Sequence, residues 1–245
     1  MLLWSSIFGA ITLGIINQFG KHRIKIKSIS KKDLLSSSIM GFFNPFLYYL
    51  VLFKAYELLE AQIAGTLNYS WPIVLVIMSV IFLKQKIRLW SFLAILISFV
   101  GIIIISTKGN FINLEDTSLL GIALAIGSSI FWSTYWILNI KDTREETSKI
   151  SLNLFFGIIY IFIYLLITSS PISIPHGYAL AGCIYIGAFE MSTTFVIWLL
   201  ALKNSSDTAK VSNLIYLSPF IALFFINFIV GEKIHFTTIF FNSKI

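Results

Sequence analysis

The sequence predicts an all-α membrane protein, a polytopic helical bundle of about eight transmembrane helices. Three observations lead there. Hydrophobic residues make up 57% of the 245 and charged residues only 12%, about half the charge that covers a soluble domain. The mean hydropathy is +0.88. The apolar residues lie in long continuous runs rather than in alternating segments of roughly ten, which favours helices over a membrane barrel. No stretch between runs exceeds about a dozen residues, so no water-soluble domain interrupts the series.

At ~20 apolar residues per crossing, the runs are 1–19, 34–53, 61–83, 89–106, 118–139, 150–168, 178–202 and 208–230. The first has no basic residue ahead of it and a basic cluster behind it, which suits a helix ending in the cytosol rather than a signal peptide. The second carries Asn44-Pro45, the third Asn68 and Pro72, the seventh Glu190, and the eighth Asn213 and Pro219. A ninth apolar patch, Phe236 to Phe241, is too short to cross.

The loop charges set the orientation. Six Lys and Arg fall in 21–33, three in 84–88, three in 141–149 and two in 203–210, which is 14 of 18, all in alternate loops. Basic residues mark cytoplasmic loops, so these loops face the cytosol and Met1 faces outward. The formal charge of +7 is thus a matter of topology and does not indicate a nucleic-acid partner. A single cysteine, Cys183, excludes an internal disulfide and any paired-cysteine metal or redox site. The three histidines stand at helix ends, so neither a metal site nor a cofactor is expected.

A weak internal repeat organises the helices. Leu67-Asn-Tyr-Ser-Trp-Pro72 aligns with Leu214-Ile-Tyr-Leu-Ser-Pro219 at an offset of 147 residues, and the same offset superposes Lys84-Gln-Lys-Ile87 on Gly231-Glu-Lys-Ile234. The two copies of Tyr-x-x-Pro lie on the third and eighth runs, five crossings apart, and an odd number inverts the second copy. Inverted repeats are a common framework of secondary transporters, with solute bound at the midplane between them.

These stretches resemble the EamA-type permeases of the drug/metabolite transporter superfamily. The resemblance rests on Leu47-Tyr-Tyr-Leu-Val-Leu-Phe-Lys-Ala-Tyr56, Leu67-Asn-Tyr-Ser-Trp-Pro-Ile73, Leu83-Lys-Gln-Lys86 and Ser98-Phe-Val-Gly-Ile-Ile-Ile-Ile105. It continues with Gly187-Ala-Phe-Glu-Met191, Trp198-Leu-Leu-Ala-Leu-Lys203, Ala209 to Pro219 and Gly231-Glu232. It implies ten helices in two inverted five-helix repeats, of which this chain is a remnant. The expected domains are residues 1–106, the first repeat without its first helix, and 118–245, the second with its last helix truncated. The motifs are structural and shared by carriers of different solutes, so they imply a general activity and hardly any substrate.

The candidate solute-binding residues are polar or aromatic groups at membrane depth. A carboxylate there costs roughly 2.5–3.5 kcal/mol, so Glu190 is expected to face a cavity or a partner. It would serve as a protonatable coupling site or a contact for a cationic solute; the plainer alternative is a neutral carboxyl bonded to a neighbouring helix. Asn44, Asn68 and Asn213, with the kinks at Pro45, Pro72 and Pro219, make an irregular polar surface, which a bundle tolerates where it is buried or lines a cavity. Tyr48, Trp71, Trp132, Trp136 and Tyr216 complete the candidate wall, Trp132 and Trp136 lying one turn apart. Gly121, Ala125, Gly127 and Ser128 read as close-packing positions. No Gly-x-Ser-x-Gly, His-Glu-x-x-His or Asp-x-x-Asp pattern occurs, and Glu145-Glu146 reads as part of a solvated linker, so no enzyme is expected. The reading is a multi-pass permease of the inner (plasma) membrane, partnered by the bilayer and a small-molecule solute, with proton coupling through Glu190. The alternative is a truncated, non-transporting relic or membrane assembly partner.

Overall fold

The computed structural model describes residues 1–19, 29–106, 118–205, 207–218 and 221, and every regular element among them is helical. In chain order these are α1 (Leu2–Phe19), α2 (Lys31–Leu58), α3 (61–83), α4 (Leu89–Ser106), α5 (Leu119–Lys141), α6 (Glu146–Ile167), α7 (Gly177–Asn204) and α8 (Thr208–Ile215). Six are long and apolar enough to cross a membrane: α1, α2, Ile63–Leu83 of α3, α5, α6 and α7. That is fewer than the eight expected. Within α4 the apolar stretch Leu89–Gly101 is shorter than a crossing requires. The expected run 208–230 begins as Thr208–Ile215 and then passes outside the described residues, as do Pro219 and the Gly231-Glu-Lys-Ile234 repeat segment.

Local chemistry explains where the helices start and break. Ser30 and Asp33 form a reciprocal capping box at the start of α2. The Glu145 carboxylate accepts the Thr147 and Ser148 N–H groups at the start of α6, and Asp207 accepts that of Ala209 at the start of α8. α2 is interrupted by Asn44, whose extended backbone (φ −149°, ψ 125°) precedes Pro45 within a widened turn, Phe42–Leu47. α3 consists of Ala61–Asn68 and Trp71–Leu83, with Pro72 in the first turn of the second piece. α7 contains a π-helical stretch, Ile186–Thr194, where the Ser192 and Thr193 hydroxyls both donate to the Ala188 carbonyl. Hydroxyls competing for a helical carbonyl favour such a local widening.

The chain divides into two compact units, each drawing on both halves of the sequence. One comprises Met1–Leu50 and Thr134–Asn204. In it α1 packs on α6 and on the widened turn of α7, and α2 packs on α6. Glycines permit two of these crossings, α1 on α7 and α2 on α6. A Cβ on Gly187 would lie 2.7 Å from the Gly9 nitrogen and 2.7 Å from Phe8 Cβ, and one on Gly157 would lie 2.6 Å from Pro45 Cγ. The other unit comprises Val51–Ser133 and Ser205–Ile245. There α8 packs on Trp71–Leu83 and on α4, around Val76, Ile95, Ala209 and Tyr216. A second cluster joins Ala55, Leu59, Ala64 and Ala125. In this unit a Cβ on Gly121 would meet Leu59 at 2.7 Å, whereas one on Gly127 would meet nothing within 4 Å. Of these two glycines, then, Gly121 is the one at a close-packed position.

Beside its apolar core the chain buries small polar groups and exposes large apolar ones. Ser5, Ser6, Ser37, Ser79, Ser133, Asn139 and Asn153 are buried, while Ile97, Leu166 and Ile167 are between 58% and 77% exposed. Apolar solvent outside makes polar groups seek one another inside.

The loop between α5 and α6 departs from the expected solvated linker. Lys149 is fully buried, and its ammonium donates to the carbonyls of Asn139 (2.8 Å) and Asp142 (2.9 Å) at the end of α5. Lys203 of α7 donates to the same Asp142 carbonyl and pairs with Glu146 at 2.8 Å. Arg144 grips both oxygens of the Asp142 carboxylate and reaches the Asp33 carbonyl of α2. Burial pushes the Asp142 carboxyl up, but the Arg144 hydrogen bonds and charge outweigh it and hold the group below its ordinary value. Glu145 is likewise raised by burial and lowered further by the Ser148 and Thr147 N–H groups. Charges placed at the ends of four helices satisfy carbonyls that a helix C-terminus leaves open, so they lie inside the fold rather than in solvent.

Candidate functional site

In the unit built on α1, α6 and α7, the candidate residues fall into two groups. Glu190 sits in the widened turn of α7, whose backbone is seated against α1 through Gly187. Its side chain is exposed, and Oε1 accepts a hydrogen bond from the Tyr49 hydroxyl of α2 at 3.3 Å. Tyr48 is buried and stands edge-on to Tyr49, with ring centroids 4.9 Å apart. Asn44 is 1% exposed, and neither its amide nitrogen nor its amide oxygen has a hydrogen-bond partner. Trp136 is fully buried among Tyr135, Phe195 and Trp198. A carboxylate, a phenol and a buried amide at membrane depth offer both acceptors and donors to a polar solute.

In the unit built on α3, α4 and α8, the Asn68–Trp71 break is held by serines of α5. Pro72 has no N–H, so the Asn68 carbonyl loses the bond that a continuous helix would give it. The Ser129 hydroxyl donates to that carbonyl at 3.3 Å and shares a 2.9 Å hydrogen bond with Ser70. Ser128 donates to the Asn68 side-chain oxygen at 3.2 Å, and Ser133 donates to the Trp71 carbonyl at 3.2 Å. Trp132 stands edge-on to Trp71 at 5.9 Å. The buried Tyr216 hydroxyl donates to the Tyr69 carbonyl at 3.1 Å, and the Tyr69 and Ser218 hydroxyls lie 3.3 Å apart. Asn213 keeps its side-chain oxygen unpartnered.

Asn44, Tyr48, Trp136 and Glu190 therefore belong to one unit, and Asn68, Trp71, Trp132, Asn213 and Tyr216 to the other. The α5 serines are additions to the expected set. A signal for the serines was present: a proline inside an apolar run calls for a donor from elsewhere, and Ser129 and Ser133 are spaced one turn apart. Ser129→Ala is expected to cost about 1 kcal/mol. Adding Pro72→Ala, which returns an N–H to the break, should bring the melting temperature back toward wild type. Thermal unfolding of the four proteins of this cycle in detergent checks both values.

The EamA-like transporter family matches residues 1–107 and 119–243 of the chain. An uncharacterized transporter of Clostridium kluyveri is 24% identical over 219 residues, which cover 86% of this chain and 70% of its own. The uncharacterized transporter YoaV of Bacillus subtilis is 23% identical over 259 residues, covering 99% of this chain and 87% of its own. One solved crystal structure superposes with a TM-score of 0.79 over 97% of this chain and 82% of its own, at 15% identity, a likeness of fold alone.

Proposed function

Because the chain belongs to the EamA-like transporter family, we propose that it is a secondary carrier of a small organic metabolite in the plasma membrane. Two inverted repeats, 1–106 and 118–245, alternate access to a midplane site in this reading. Glu190 carries it: an exposed carboxylate on a helix of membrane length, bonded to a tyrosine of another helix rather than to a cation. A carboxylate at that depth is costly unless it meets water, a proton or a solute. The pair Tyr69 and Tyr216 supports the repeat. They are 147 residues apart, the repeat offset, and one donates to the other; equivalent residues of a two-fold repeat meet only beside its axis.

Asn44, Tyr48 and Trp136, of the same unit as Glu190, complete the proposed solute site, and Glu190 couples transport to protons. Flux of radiolabelled amino acids, nucleosides and amines into proteoliposomes tests this. The expected result is uptake of one class, accelerated by a pH gradient. Glu190→Gln should abolish the gradient effect while leaving exchange of solute across the membrane. Uptake indifferent to both the gradient and Glu190→Gln would remove the coupling role. No uptake of any class by well-folded protein would favour an assembly partner instead.

A further inference from the structure

The internal repeat reappears in the backbone at two breaks. The first piece of α3, Ala61–Asn68, and α8, Thr208–Ile215, are each eight residues long, and their bounds differ by the repeat offset at both ends. The same turn follows each. The Tyr69 N–H reaches the Thr66 carbonyl and the Ser70 N–H that of Leu67, as Tyr216 reaches Asn213 and Leu217 reaches Leu214. In the sequence Pro72 and Pro219 stand at the same distance beyond them. Proline has no N–H, so neither offers a bond to the carbonyl four residues earlier, Asn68 or Ile215. Hydroxyls tie the two breaks together inside one unit. Tyr216 donates to the Tyr69 carbonyl at 3.1 Å. Ser218 donates to the Ile215 carbonyl at 2.7 Å, which uses its single hydrogen. Tyr69 is therefore the donor across the 3.3 Å to Ser218 Oγ. Each joint thus receives a tyrosine hydroxyl from the other.

We propose that the two breaks work as one hinge, coupled through Tyr69 and Tyr216, so that loosening either joint loosens the other. Opening the joint before Trp71 draws the Tyr69 carbonyl from the Tyr216 hydroxyl and the Tyr69 hydroxyl from Ser218. The same two bonds are lost when the joint after Ile215 opens. Joints that share their closing bonds open in one event, and the shared bonds are the coupling free energy between them. A neutral hydroxyl suits this task. Its bond is weak enough to break in each cycle, and breaking it leaves no charge at membrane depth. The use of such a hinge rests on the reading of two inverted repeats, in which Ala61–Asn68 and Thr208–Ile215 lie toward opposite faces of the membrane. A shared hinge then carries a change at one face to the other, as alternating access requires.

Hydrogen–deuterium exchange of the purified full chain in lipid nanodiscs tests this, read by mass spectrometry in peptides covering 66–75 and 211–218. Ser129 of α5 holds the first joint through the Asn68 carbonyl and Ser70, so Ser129→Ala loosens that joint directly. The expected result is exchange about fivefold faster in 66–75 and in 211–218 alike, the effect of one lost hydrogen bond. Ser129→Thr, which keeps the hydroxyl, should exchange as wild type does. With Tyr69→Phe and Tyr216→Phe already in place, Ser129→Ala should speed 66–75 alone. Exchange at 211–218 that ignores Ser129→Ala in the otherwise wild-type chain would overturn the proposal. So would a response there that survives loss of both tyrosine hydroxyls. An unchanged 66–75 in Ser129→Ala overturns it too, because a joint not held by hydroxyls has nothing to transmit. The readout is local opening and not flux: its failure leaves the transport reading standing, and a chain that moves no solute still reports the link.

Discussion

Lys149→Met is expected to destabilise the protein by about 3 kcal/mol, a fall of roughly 10 °C in melting temperature. The methionine fills the volume, but the Asn139 carbonyl loses its ammonium donor and the buried surroundings of Asp142 and Glu146 lose a positive charge. An acceptor left unpaired in a low-dielectric interior bears its full desolvation penalty. Lys203→Met is expected to cost less, because Lys203 is only partly buried and Lys149 still serves the Asp142 carbonyl. Thermal unfolding in detergent, followed by tryptophan fluorescence, separates the two. A Lys149→Met protein that melts with wild type would show that the network does not hold the helix ends together.

Gly187→Leu should prevent α1 from seating on α7 and lower the yield of monodisperse protein several-fold. Even the first carbon of the new side chain would fall against backbone, at Gly9, and not against a side chain that can turn away. Overpacking of this kind costs about 1–3 kcal/mol when neighbours can shift, and more when they are backbone. Gly127→Leu is the matched control, with nothing within 4 Å of its Cβ position. Size-exclusion profiles of the two variants decide the matter: equal losses would mean that leucine is tolerated poorly at any glycine of these helices. The same crossing seats the backbone that carries Glu190, so a milder Gly187→Ala variant is the one to carry into flux measurements.

The helices were legible because a membrane span is a composition before it is a pattern. Six of the apolar runs reappear as helices long and apolar enough to cross, with ends shifted by a few residues. The ends moved for identifiable reasons. α2 begins at Lys31, earlier than its apolar run, because Ser30 and Asp33 cap it. α6 begins at Glu146 because Glu145 caps it and Lys149 is buried in its first turns. Lys149 reads as a loop charge in the sequence because a lysine at a span end is usually solvated; only the turn that brings it back to the end of α5 reveals the carbonyls it serves. The candidate site was legible as a set of residue types at membrane depth, but not as a geometry. Trp132 and Trp136, one turn apart on α5, illustrate this: they lie on opposite sides of the division between units, one on Trp71 and the other against Phe195. The π-helical turn of α7 had no sequence signal beyond Ser192-Thr193, which also occurs in regular helices.

The serine that closes the α3 break has a mechanical consequence. At the joint before Trp71 the N–H bond that Pro72 lacks is replaced by a rotatable hydroxyl from another helix, beside the backbone bonds of Tyr69 and Ser70. A contact of about 1 kcal/mol is less than twice the thermal energy. The segment beyond the joint, Trp71–Leu83, is 13 residues long, a rod of about 20 Å. A tilt of about 10° at the joint therefore swings the far end by about 3 Å, the width of a water molecule, while the segment itself stays straight.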